Sequence, residues 1–278
     1  MSIGFSKTFG LERALLAKAV SVFREKPALS RSEIMSKLGI GSQKAEAIVL
    51  WLGKIGLRDN AKRQLTPLVI SLVEFDPYFS ESFTQWIFHY KLASNTEAEV
   101  WYLLTNEFLP NQTHFSYNDT IDFLVSKGLR SKNYKHLKAD ASIFLRSYIS
   151  EDALKKTNYL KTEEQPKRII SQNRFYKNPP SDISPYLIAY VVYDQREKNS
   201  PNLSTVTIEE LLTLKGNVGR IFSLSREKLE EMLKLLSSPQ YGQLIYLATT
   251  AGLDQVGLKF KGNPLEILEM YFTKEKQR

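Results

Sequence analysis

Along most of the chain the apolar residues recur three and four apart, which predicts helices, and short alternating stretches between them predict small β-hairpins. In residues 11–26, Leu15, Leu16, Ala19, Val22 and Phe23 share one face, and Pro27 stops the helix. Ser30 and Glu33 have the spacing of a capping box and open a short helix through Ile34 and Leu38, which Gly39-Ile40-Gly41 ends in a tight turn. Another helix starts at Ser42, turns Ala45, Ile48, Val49 and Leu52 inward and stops at Gly56-Leu57. Residues 56–65 then read as a hairpin with apolar ends and a polar tip. Short helix, glycine turn, second helix and hairpin form the layout of a winged helix-turn-helix.

Residues 66–79 carry Leu68, Val69, Ile70, Leu72, Val73 and Phe75 up to the turn Asp76-Pro77. The aromatic block that follows, from Phe83 and Trp86 to Trp101, Tyr102 and Phe108, divides into helices over 82–92 and 96–108 and predicts a central core. Ser116 and Asp119 can cap a helix through Ile121, Phe123 and Leu124; Gly128 breaks it, and Ser131 can cap a helix carrying Leu137, Ile143, Phe144 and Tyr148. Residues 151–184 are polar and contain Pro166, Pro179 and Pro180, as in a linker or a crossing loop. Helices follow over 186–197, from Ile208 to Leu212 and from Ser225 to Leu236; then come alternating stretches at 244–249 and 253–260 and a last helix over 264–272. The expected fold is mainly α with small β-hairpin wings: multiple winged helix-turn-helix modules around a central aromatic helical core. Its expected divisions are 1–80, 81–150 with a second helix-turn-helix-like unit, the linker or crossing loop 151–184, and a winged-helix-like 185–278.

Composition narrows the function classes. With 42% hydrophobic residues the 278-residue chain can bury a substantial core, so wholesale disorder is not expected. No run of eighteen apolar residues occurs and the first ten lack a signal-peptide pattern, which fits a cytoplasmic protein without membrane contact. The absence of cysteine excludes disulfides, zinc ribbons and thiol nucleophiles. P-loop, dinucleotide-fingerprint, zincin and nucleophile-elbow motifs are missing as well. Of the scattered histidines, His89 lies among aromatics and reads as a hydrogen-bonded core residue before it reads as a metal ligand. Asn106-Glu107 reads either as one side of an acidic site or as helix-surface hydrogen bonding.

The formal net charge of +8 favours a polyanionic partner to the extent that the charge is gathered. Ser42, Gln43 and Lys44 begin the second helix of the first module, and Lys54, Arg58, Lys62 and Arg63 lie at its end and on its wing, where a duplex would be met. Lys127, Arg130, Lys132, Lys135 and Lys138 crowd the turn and helix start of the second module with no acidic residue among them. Arg168, Arg174 and Lys177 interleave with Phe175 and Tyr176, as in a strand-contacting segment or a covering loop pinned by its aromatics. In the last module Arg226, Lys228 and Lys234 are balanced by Glu227, Glu230 and Glu231, so that copy is not distinctly basic, and facing protein is its alternative role.

Leu65-Thr66-Pro67-Leu68, Asp76-Pro77-Tyr78, the run His89 to Asn95 and the run Trp101 to Phe108, with the turn and helix Gly39 to Ile48, resemble the SspB-like family, bacterial domains of unknown function encoded beside DNA phosphorothioation genes. The likeness is specific over about the first 110 residues and looser beyond. It implies a DNA-binding component of a phosphorothioation modification or antiviral defence system, acting with a cysteine desulfurase, an ATP pyrophosphatase and an ATPase. Such a component would nick double-stranded DNA before sulfur insertion, with magnesium or manganese as the divalent metal; the alternative is a non-enzymatic regulator or scaffold. Family members often open Phe-x-x-His-Glu-Thr-Phe. Here Phe5-Ser6-Lys7-Thr8-Phe9 lacks the His-Glu pair, so no catalytic residue is carried over.

Overall fold

Capping chemistry starts the helices where the sequence places it. Helix α1 (Arg13–Glu25) is followed by α2 (Arg31–Leu38), whose N-cap Ser30 accepts from the Glu33 N–H while the Glu33 carboxylate accepts from the Ser30 N–H. A hydrogen bond from Lys26, with those from Ser30, holds the exposed Glu33 carboxyl at about 2. Gly39 closes α2 in the left-handed conformation (φ 70°), which a side chain rarely adopts, and α3 (Ser42–Lys54) follows. Strands β1 (Arg58–Asp59) and β2 (Gln64–Leu65) then pair antiparallel, Arg58 opposite Leu65.

The protein is described by a computed structural model covering residues 3–129, 134–180, 183–250 and 253–275. Its chain divides into two units, Met1–Asn178 and Pro179–Arg278. The first continues with α4 (Pro67–Phe75), α5 (Ser82–Ala93) and α6 (Glu99–Leu103), which runs on as a π-helical turn, Leu104–Phe108. Strand β3 (His114–Ser116) leads into α7 (Tyr117–Ser126), capped by Ser116 and Asp119, and then comes α8 (Tyr134–Ile149). Strands β4 (Leu160–Thr162) and β5 (Arg174–Lys177) complete an antiparallel sheet in the order β3-β5-β4.

Edge-to-face rings tie this unit together. Phe5 meets Trp51 of α3 at 4.8 Å, Trp51 meets Trp101 of α6 at 5.4 Å, and Trp101 meets Phe144 of α8 at 5.5 Å. The series continues through Tyr148 to Tyr159 (5.4 Å) and His89 (4.5 Å from Tyr159). His89 is fully buried with Nδ1 2.6 Å from the Tyr148 hydroxyl, the core role its neighbours suggested.

The expected boundaries at 80 and 150 are not divisions between compact units, because α3 packs through Trp51 on α6 and α8 contributes to the same aromatic series. Residues 151–178 likewise belong to the first unit rather than forming a linker. Phe175 is fully buried and stacked on Phe115 (5.8 Å, 22°), and β5 pairs with strands on both sides. A few isolated apolar residues in a polar run were enough to dock it. Arg13 fastens its start to α1, donating to the carbonyls of Phe79 (2.9 Å), Ala153 and Glu151.

Residues 3–10 are held from α8. Asp140, almost fully buried, accepts from the Gly4 N–H (2.5 Å) and the Ser6 hydroxyl (3.1 Å). Burial raises its carboxyl above the ordinary range despite those donors. A folded-state pKa raised above the unfolded one stabilises below the ordinary carboxylate range, and that stability is lost as pH rises through the raised value. Asp140→Asn keeps an acceptor without the charge. It is expected to flatten the fall in melting temperature as pH rises above the ordinary carboxylate range; a melting-temperature profile unchanged from the parent's would contradict this.

The second unit begins with α9 (Pro185–Asn199), buried on every side from Pro185 to Tyr193. Strand β6 (Thr205–Thr207), α10 (Ile208–Thr213), α11 (Val218–Phe222) and α12 (Arg226–Ser237) precede the hairpin β7 (Ile245–Thr250) and β8 (Leu253–Leu258), and the sheet order is β6-β8-β7. Helix α11 is five residues long, too short to show a periodicity in sequence. The closing helix α13 (Pro264–Met270) packs on α9. Tyr193 joins α9 to the sheet, its hydroxyl donating to the Leu244 carbonyl (2.5 Å) and accepting from the Phe260 N–H (3.1 Å). Among the described residues no helix is long and apolar enough to cross a membrane.

Candidate nucleic-acid interface

The basic residues of α3 and the following hairpin are mostly engaged within the fold. Lys44 pairs with Glu12 at 2.9 Å and Lys54 with Glu97 at 2.7 Å. Arg58 is 5% exposed, with its guanidinium 4.6 Å over the Phe23 ring and donating to Asn60 Oδ1 and the Pro27 carbonyl. It packs the hairpin onto α1, and burial lowers its pKa. The expectation that Arg58 reaches a duplex is therefore corrected: a guanidinium closed under a ring and two acceptors has no face left for phosphate. Lys62 is exposed at the hairpin tip, 3.5 Å from Asp59, and the exposed Arg63 donates to the Leu29 carbonyl at 2.6 Å.

Ser42 and Gln43 are exposed at the start of α3, but farther along the helix Ala45, Ala47, Ile48, Trp51 and Leu52 are buried. Its open stripe carries Glu46, paired with Lys7 (3.0 Å) and Arg31 (2.8 Å). The helix is packed on two sides because Trp51 reaches α6 while Ile48 and Leu52 serve the three-helix core, which a heptad pattern alone does not show.

The second basic cluster is more open. Lys127 pairs with Glu107 at 2.6 Å, a partner brought from the π-helical turn after α6. That pair accounts for Glu107, and Asn106 is buried, donating to the carbonyls of Ala93 and Tyr102. Lys135 and Lys138 are exposed on the first turns of α8, and the Lys138 ammonium stands 4.4 Å over the ring of the exposed Tyr134. Arg130 and Lys132 lie outside the described residues. Lys177 is half-buried with its Nζ donating to the Leu109 carbonyl, and Phe175 is in the core, so this stretch acts as a covering segment and Arg168 and Arg174 are its exposed cations.

Residues 6–272 match the family model described as "Protein of unknown function (DUF4007)". The chain belongs to that family. Among solved structures, a magnesium ion-bound SspB crystal structure has a TM-score of 0.79 and 17% sequence identity, covering 100% of this chain and 89% of that one. A second SspB crystal structure has a TM-score of 0.76 and 16% identity with the same coverage. At such identity the likeness is one of fold, and it extends over the whole DUF4007 chain. No curated protein sequence matches. Among the described residues no group of three or more histidine, aspartate or glutamate side chains stands where it could hold a metal ion.

In the second unit Arg226 is shared among Glu209 (3.1 Å), Glu230 (3.5 Å) and Asp254 (3.3 Å). Helix α12 therefore has its first cation neutralised by carboxylates of α10, α12 and β8. Tyr246 and Leu247 on the outer strand β7 are exposed.

Proposed function

We propose that this protein binds double-stranded DNA as a component of a phosphorothioation modification or defence system, and that α8 carries the principal contact. The observation behind this reading is the start of α8, where Lys135 and Lys138 project beside an exposed tyrosine with no carboxylate partner among the described residues. Cations of that kind release counterions from phosphate, and the tyrosine adds a stacking face. Family membership and the fold shared with SspB support the cellular setting. In this reading α1–α3 with β1–β2, and β6 to β8 with α10–α12, are winged helix-turn-helix modules. The first contributes Ser42, Gln43, Lys62 and Arg63 from its exposed edge, and Lys44 and Lys54 only if their carboxylate pairs open.

Fluorescence anisotropy against a labelled duplex tests it. Lys135→Glu with Lys138→Glu should weaken binding and reduce the slope of log K against log salt by about 1 for each phosphate that is no longer neutralised. Unchanged affinity and slope would remove α8 from the interface. Nicking is the enzymatic form of the same reading. Among the described residues no group of three or more histidine, aspartate or glutamate side chains is gathered, and no catalytic step is assigned to a divalent ion. Supercoiled plasmid with magnesium or manganese reads this form directly: open-circular product supports it, and plasmid that stays supercoiled removes it.

A second reading, a scaffold for the sulfur-transfer proteins, is favoured by the neutralised α12 and the exposed Tyr246 and Leu247. Tyr246→Asp with Leu247→Asp should then abolish co-purification with the cysteine desulfurase, the ATP pyrophosphatase or the ATPase while leaving DNA affinity unchanged. Retained co-purification would count against it.

A further inference from the structure

A cleft of about 700 Å³ opens in the first unit between residues 8–12, the second half of α8 and the segment 150–170. Its size lies in the range of small-ligand sites. The buried side chains of Leu11, Ile143 and Ile170 line it, and Arg146, Lys167 and Arg168 stand around it. Two carboxylates also border it, Glu12, which is paired with Lys44 at 2.9 Å, and the exposed Asp152. Lys167 is paired with Glu164 at 3.3 Å. Arg146 donates to Ser142 Oγ (3.3 Å) and to the Arg168 carbonyl (3.2 Å), and neither arginine has a carboxylate partner among the described residues. Two uncompensated guanidiniums beside an apolar floor match a ligand that is flat and apolar at one end and anionic at the other.

Helix geometry connects this cleft to the lysines of α8. Lys135, Ala139, Ser142 and Arg146 are spaced four, three and four apart, so they follow one face over about 16 Å of helix, and each is exposed or half-exposed. An unpaired strand that leaves the duplex at Lys135 and Lys138 can follow that stripe to Arg146, beyond the duplex contact.

We propose that the cleft receives one unpaired nucleotide of a DNA strand, its base against Leu11, Ile143 and Ile170 and its phosphate on Arg146 and Arg168. The proposal rests on the DNA-binding reading and adds to it a preference for strands with an unpaired base. Planar guanidiniums suit phosphate through paired N–H donors, and an extruded base requires a pocket of this kind.

The full-length protein is titrated by anisotropy with a labelled single strand and with a labelled duplex, comparing the parent with Arg146→Gln plus Arg168→Gln. Both arginines are exposed, and melting curves verify that the variant folds. A second variant, Ser142→Trp, fills the cleft from its half-exposed wall without changing charge. Single-strand affinity should fall at least about tenfold in the first variant while duplex affinity stays within about twofold. Ser142→Trp should show the same split, and deoxynucleoside monophosphate should compete with the single strand and not with the duplex. Single-strand affinity equal to the parent's in both variants, with duplex binding intact, overturns the cleft proposal alone. A parent protein that binds neither probe overturns the DNA reading and the cleft with it.

Discussion

Trp51→Ala is expected to destabilise the first unit by about 4 kcal/mol, the range for emptying a fully buried indole site. Trp51 is 0% exposed, lies edge-to-face against both Phe5 and Trp101, and donates from Nε1 to the Phe9 carbonyl at 3.1 Å. The change therefore opens a cavity at the junction of α3, α6 and the chain start and removes the tether of residues 5–9. For a unit of this length the loss corresponds to a melting temperature lower by about 12 °C. Trp51→Phe, which keeps a ring but loses the N–H, should lose roughly half as much. Differential scanning calorimetry checks both, and a shift below about 3 °C for the alanine variant would show that the site collapses freely.

Gly219→Ala should damage the second unit nearly as much, by about 3 kcal/mol, through overpacking. A Cβ at Gly219 of α11 would stand 2.4 Å from Cα and from the carbonyl oxygen of Leu212, in α10. Backbone cannot rotate aside as a side-chain tip can, so α10 and α11 must separate and disturb the buried Leu211, Ile221 and Phe222. Hydrogen exchange should show reduced protection concentrated within Thr205–Leu258, with the first unit unchanged. Protection equal to the parent's across α10 and α11 would refute the close approach. By contrast, Gly39→Ala meets no neighbour, and its cost comes only from the left-handed φ of 70°.

Local chemistry was legible residue by residue. Ser30 with Glu33 predicted a capping box and Ser116 with Asp119 a helix cap, and both form; Gly39 predicted the stop of α2, and the alternation over 244–249 and 253–260 predicted the β7–β8 hairpin. Each is decided by residues within a few positions of one another, so the sequence contains the whole interaction. His89 was legible for a related reason, since a polar ring amid aromatics needs a partner, and Tyr148 supplies it. In the segment 151–178 the covering role of its aromatics was legible but its strands were not, because they are short and β5 pairs with β3, some sixty residues away in sequence. Charge was the least legible property. Lys44, Lys54 and Lys127 each find a carboxylate from a distant element, and Arg58 is packed against the face of the Phe23 ring. The number of basic residues therefore overstates what an anion would meet.

By itself the sequence determined the helical class, the positions of most helix starts and stops, the aromatic core and the family likeness, because periodicity and capping act over one or two turns. Only the tertiary structure decided which cations remain open. Salt bridges and burial are set by which surfaces the hydrophobic core brings together, and it gathers residues as far apart in sequence as Leu11, Ile143 and Ile170 around one cleft.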